Sequence, residues 1–262
     1  MVLLIHKIKC LFVFRIKRIE QIVSTNTAGT FQLDSGSKIV SGARGKDYIF
    51  VVTDTSAYIM QFVGPPFTFS IRQVGSNCGA MSQHSLVHVD GIMYWMGKSG
   101  GFYAYDGGSV KKLTCSVEDF VFTTQTSDDL GFNFGQSEQV FAGYNTLFTE
   151  INWFYCKDGS TTIDRCVTLN YREGLWTTSS LARTAYSDKY VLDNPYATEY
   201  SASGLPSVSI NGITNEFGAA TLYKHETGNN QLDVLGNKTS INAFIESGDF
   251  EMPMEGSAGE FF

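Results

Sequence analysis

Between Ser85 and Leu113 the chain places four short apolar segments within about thirty residues, each ended by a turn. Ser85–Val89 runs into Asp90-Gly91, a pair suited to a two-residue hairpin turn, and Ile92–Met96 returns. Gly101–Tyr105 then runs into Asp106-Gly107, and Val110–Leu113 completes the set. Four strands in this length is the size of one propeller blade.

The scheme recurs on both sides. Upstream, Tyr48–Val52 reads as a buried strand, Asp54-Thr55-Ser56 as a turn and Ala57–Val63 as the partner. Gly64-Pro65-Pro66 stops that ladder, because proline has no N–H to donate. Phe67–Val74 alternates apolar and polar residues, the period of a strand with one buried face. Downstream, Val117–Phe122 has room for a turn or two of helix, and 123–135 is loop-like. Strands are expected at Gln139–Ala142, Glu150–Cys156, Asp164–Tyr171 and Gly174–Trp176, with a turn at Lys157–Ser160. Trp153, Phe154 and Tyr155 set against Asn170, Tyr171 and Trp176 suggest a hairpin fixed by cross-strand aromatics. Beyond Arg183 the pattern weakens through Asn194-Pro195-Tyr196, and strand signals resume at 219–223 and 240–246. Composition agrees: 14% of residues are aromatic, and 26 glycines supply turns against 5 prolines. The turn spacing is uneven, which suits a decorated propeller and a β-sandwich equally.

Charge is divided along the chain. Residues 1–20 carry Lys7, Lys9, Arg15, Lys17 and Arg18 against Glu20, whereas the remainder holds 14 basic and 25 acidic side chains, a net of −11. Such a body repels nucleic-acid phosphates, yet it suits a conduit that DNA passes without sticking. Residues 1–20 follow neither strand alternation nor a capped helix, and are expected to pack poorly on the rest. The five cysteines (10, 78, 115, 156 and 166) lack CxxC spacing and read as reduced, partly buried thiols. No run approaches the ~20 apolar residues of a spanning helix.

No signature of enzymatic chemistry emerges: there is no G-x-S-x-G, H-E-x-x-H, P-loop or dinucleotide fingerprint. His84 and His88 lie on one face if their segment is a strand, but they read as surface polar residues because no third ligand is near. Asp54, Asp90, Asp106 and Asp158 occupy turns. Glu118 with Asp119, and Asp128 with Asp129, are the adjacent acidic pairs; neighbours on a strand face opposite ways, so they read as solvated charges. Tyr94, Trp95, Trp153, Phe154, Tyr155 and Trp176 fit packing better than a sugar-stacking platform. No catalytic, cofactor-binding or metal-binding residue is assigned.

Several segments in order, Thr53–Phe67, Tyr94-Trp-Met-Gly97, Phe102–Gly107, Leu113-Thr-Cys115, Glu150–Tyr155 and Leu169–Trp176, resemble the tail-nozzle or packaged-DNA-stabilisation proteins of short-tailed bacteriophages. Leu181–Tyr186 and Ile241–Ser247 fit as well, so the resemblance spans about residues 24–250. Residues 1–20 do not match, and the family's members are longer, so the chain is expected to be a partial segment. The resemblance implies a non-enzymatic virion protein of the phage tail, assembled in the host cytoplasm. Its subunits would form a homo-oligomeric ring with the adaptor and portal side and with tail fibres. That ring would hold back packaged DNA and then pass it without specific binding, with no cofactor and no membrane contact. The alternative from another class is a carbohydrate-binding or glycan-active β-propeller at the host surface.

The expected architecture is therefore all-β, with antiparallel sheets arranged as the blades of an incomplete propeller. Residues 1–23 form an atypical N-terminal segment, 24–190 the blades and 191–262 a further β segment. Trp95, Tyr105, Trp153 and Trp176 are expected to be buried.

Overall fold

The computed structural model describes residues 2–6, 9–13, 29–64, 68–123, 131–189, 192–200, 207–210, 213–216, 220–232, 237–241, 252–254 and 257–259. It is all-β, and its best-formed parts are three four-stranded antiparallel meanders. Two compact units are distinguished, 1–225 and 226–262.

In the first unit, β1 (Val2–His6), β2 (Lys9–Val13) and β3 (Gly29–Gln32) make a three-stranded sheet. The first full sheet is β4 (Ile39–Arg44), β5 (Tyr48–Thr53), β6 (Ser56–Gly64) and β7 (Thr68–Ser76). The second is β8 (Leu86–Val89), β9 (Ile92–Met96), β10 (Phe102–Tyr105) and β11 (Val110–Leu113). A short helix α1 (Glu118–Phe122) and a 3₁₀ segment (Phe134–Gln139) precede the third sheet. That sheet is β12 (Phe141–Asn145), β13 (Glu150–Tyr155), β14 (Arg165–Asn170) and β15 (Leu175–Ser179). Next come β16 (Ala185–Ser187) and β17 (Tyr196–Tyr200), the hairpin β18 (Ser207–Ile210)–β19 (Ile213–Glu216), and β20 (Ala220–Lys224); β16, β17 and β20 form a smaller fourth sheet. The second unit holds two-stranded ladders, β21 (Asn230–Leu232) with β22 (Lys238–Ser240) and β23 (Met252–Met254) with β24 (Ser257–Gly259).

The inner strands of the full sheets are buried on both faces, which explains why β5 and β9 read as continuous apolar runs rather than alternating ones. Phe50, Val52, Ala57 and Ile59 of the first sheet share a core with Met93, Trp95 and Tyr105 of the second. The opposite face of the second sheet, with Tyr94, Met96 and Phe102, packs on Ile151, Trp153, Val167 and Trp176 of the third. The far face of the third sheet buries Phe154 and Cys166, with Leu181 and Tyr186 against them. Successive sheets are thus stacked like blades, with their first strands β4, β8, β12 and β16 as consecutive neighbours.

Indole N–H groups tie the stack together. Trp95 Nε1 donates to the Cys78 carbonyl at 2.7 Å, Trp153 Nε1 to Ser85 at 3.0 Å and Trp176 Nε1 to Thr114 at 2.9 Å. Each indole therefore buries its apolar area without leaving its N–H unsatisfied. Trp95, Tyr105, Trp153 and Trp176 are all buried, as expected. The Asp90-Gly91 turn has φ of +49° and +85°, and two positive values in succession are the signature of the mirror-image turn that matches strand twist.

Three sequence expectations need correction. Within residues 1–20, β1 and β2 do form strands, in register from Val2↔Val13 to His6↔Lys9. His6 and Lys9 are partners at the end of that ladder; residues 7–8 and 14–20 lie outside the described residues. The strand expected from Gln139 begins instead at Phe141, because Phe134–Gln139 takes a 3₁₀ path in which the Asn133 side chain accepts from the Gly135 N–H. Trp153 pairs with Val167 and Trp176 with Leu169, so the aromatic hairpin exists but is not a direct Trp153–Asn170 pairing.

Candidate functional site

Where the first strands converge, they enclose a cleft of about 450 Å³. Gly42 and Ala43 of β4, Leu86 and His88 of β8, Ala142 of β12 and Ala185 of β16 contribute to its walls. A common register produces this. Ala43 pairs with Phe50, Leu86 with Trp95 and Ala142 with Trp153, so each of these three stands beside the large ring of its own second strand. Small residues lie inward where the strands crowd, and the aromatics fill the widening space behind them. Gly143 shows how tight the approach is, since a Cβ there would lie 2.8 Å from the Tyr186 ring.

The cleft mixes polar and apolar side chains. Gln83, His84 and His88 are exposed on its second wall, and Thr184 and Tyr186 form the fourth. Among the described residues no Lys, Arg, Asp or Glu lines it. His84 and His88 therefore share the cleft, as their spacing implied, while Ser85, Val87 and Val89 point into the protein. His88 stands on β8, whereas His84 precedes it at an isolated bridge to Phe141. Among the described residues no group of three or more His, Cys, Asp and Glu side chains gathers as a metal site.

A second polar cluster lies beside the cleft's fourth wall, and sequence reading did not single it out. Arg183 is 8% exposed, donates from Nε to His225 Nε2 at 3.0 Å, and reaches Glu199 Oε2 at 2.7 Å. Its guanidinium also stands 4.2 Å from the Tyr223 ring centroid. Burial, together with the Arg183 charge, pushes the His225 pKa down to about 4, so the ring is neutral and its Nε2 is the acceptor. Burial lowers the Arg183 pKa, with Glu199 acting in the opposite direction.

The other sequence candidates scatter. Glu118 pairs with Lys112 at 2.6 Å, and Glu118 and Asp119 occupy the first turn of α1, not a cleft. Asp128 and Asp129 lie outside the described residues. The six strand aromatics are all buried and offer no platform. Asp106 and Asp158 accept from nearby backbone N–H groups, as turn residues should. Asp54 reaches further, accepting from the Ser37 and Lys38 N–H groups and from the Ser37 hydroxyl. Burial works to raise its pKa, but these hydrogen bonds outweigh it and the net shift is downward. Cys78, Cys115, Cys156 and Cys166 are free thiols. Burial pushes the first three up to about 11 and Cys166 to about 12, which keeps them protonated and unreactive. Among the described residues no helix is long and apolar enough to cross a membrane.

Neither family models nor curated protein sequences give a match to this chain.

Proposed function

We propose that the chain is a structural, non-catalytic component of a short-tailed bacteriophage tail, from the nozzle that retains packaged DNA and then conducts it. One observation carries this reading: the segments that resemble the nozzle family are the ones that build the blade stack. Thr53–Ser56 forms the β5–β6 turn, Tyr94–Gly97 and Phe102–Gly107 supply β9 and β10, and Glu150–Tyr155 with Leu169–Trp176 form the third sheet's hairpins. Their side chains are spent on packing, including all three indole tethers, as a load-bearing ring subunit requires. The net charge of −11 beyond residue 20 suits a wall past which DNA slides.

In this role the chain sits in the virion as one of a ring of identical subunits, meeting the adaptor and portal side and the tail fibres. Electron microscopy of virions labelled with antibody against the purified chain tests it. Gold at the tail tip is the expected result. Labelling confined to infected-cell extracts, with bare particles, overturns the assignment, as does steady release of reducing ends from polysaccharides by the purified chain.

A further inference from the structure

We propose that the cleft between the four first strands is a binding site for a short neutral saccharide. The inference goes beyond the tail assignment and stands or falls separately from it.

The lining selects the ligand class. In a chain of net charge −7, this cleft carries no carboxylate, ammonium or guanidinium group. A nucleic acid or an acidic glycan would find no lysine or arginine to pair with there, and a basic peptide no carboxylate. What the cleft does offer is neutral hydrogen-bonding capacity. The side chains of Gln83, His84 and His88 are exposed on it and make no hydrogen bond to any described residue. An amide and two imidazoles supply donors and acceptors together, the mixture that hydroxyl groups require.

The opposite wall supplies the apolar half of such a site. Phe141 and Tyr186 are half-buried rings that both back onto Phe154, at centroid distances of 4.8 and 6.1 Å. Where these residues reach the cleft they add apolar area, which suits the C–H face of a sugar. An extended peptide is the less suitable occupant, because it would bind by adding to an open strand edge. Here the neighbouring strands already engage one another, with the Ala142 N–H donating to the His84 carbonyl at 2.8 Å and Ser41 Oγ to the Gln83 carbonyl at 2.7 Å.

The test uses the whole chain and its imidazole NMR resonances, with maltotriose, cellotriose and chitotriose as neutral probes. A uronate trisaccharide and an uncharged Gly-Ser peptide serve as controls. The expected result is that at least one neutral trisaccharide at millimolar concentration shifts His84 and His88 and leaves His225 in place. Gln83→Ala and His88→Ala, both at exposed positions, should each weaken that binding by about tenfold while the thermal midpoint stays put. Shifts produced only by the uronate or the peptide overturn the proposal. So does the absence of shifts with all three neutral sugars, or binding that the two variants leave unchanged. Virion labelling can succeed or fail under any of these outcomes.

Discussion

Between the second and third sheets, Trp153 and Trp176 bury two indoles around Phe102, at 4.9 and 4.6 Å, and each donates its N–H to a backbone carbonyl. Between the third and fourth, the core shrinks to Phe154, Cys156, Ile163 and Cys166, flanked by Tyr186 and Leu181, with the Arg183–Glu199–His225 cluster beside it. The first junction rests on apolar area, which is favourable at any pH. The second leans on a largely buried cation whose partners must remain in one protonation state, and such a group can cost as much in desolvation as it returns in attraction. The fourth sheet should therefore be the stack's conditional member, and the first three its permanent ones.

The largest effect should come from the apolar junction. Trp153→Ala removes a fully buried indole and its hydrogen bond to the Ser85 carbonyl, which keeps only the Met96 N–H at 3.3 Å, costing about 3–5 kcal/mol. For a chain of this size that lowers the thermal midpoint by roughly 10 °C. Differential scanning calorimetry should show the whole transition moving. If only a minor component moves, the second and third sheets are not the cooperative centre, and the contrast between junctions fails.

Acid should separate the junctions next. The folded pKa of His225 lies near 4, below its ordinary 6.5, so between these values the unfolded chain binds a proton that the folded chain does not. Stability contributed by the neutral ring is thus complete above about pH 6.5, falls as pH drops through the window, and levels off below about 4, a loss of at most about 3 kcal/mol. Arg183 and the edge-on Tyr186 ring face it, and Glu199 and Tyr223 contact Arg183 in turn. Hydrogen exchange at pH 7 and pH 4.5 should show β17 and β20 losing protection before β9 and β13. His225→Gln should remove that difference. An unchanged pH profile in the variant means the cluster does not govern the fourth sheet.

The same contrast explains what the sequence disclosed. The second sheet was legible strand by strand, because Asp90-Gly91 and Asp106-Gly107 mark its turns and Ile92–Met96 is apolar throughout. The fourth was not, since β17 reads Tyr-Ala-Thr-Glu-Tyr, with two polar positions that serve Arg183 and the β16 ladder. The Arg183 cluster left no local trace because its partners lie 16 and 42 residues away. The cleft was half visible: strand spacing put His84 and His88 on one face, but nothing local indicated that β4, β12 and β16 would stand beside them. The strand aromatics were legible as packing, for rings abundant enough to form a platform were abundant enough to fill the cores.

The smallest predicted effect probes the approach of the fourth sheet to the third. An added Cβ at Gly143 would meet three Tyr186 atoms, at 2.8, 3.0 and 3.1 Å. Because one of these is the Tyr186 Cβ, the ring cannot simply swing aside, and β16 must retreat from β12 by a few tenths of an ångström. Gly143→Ala should therefore cost about 1–2 kcal/mol, offset in part by the lower entropy of alanine in the unfolded chain. The displacement should be local. Ring resonances of Tyr186 should shift, and those of His225, whose centroid is 5.7 Å from that ring, should shift with them. Trp95 and Trp153, on the other side of the third sheet, should keep their chemical shifts and their indole N–H protection. If the Trp153 indole responds as strongly as Tyr186, the two faces of the third sheet are mechanically coupled, and the separation of a permanent stack from a conditional fourth sheet has to be abandoned.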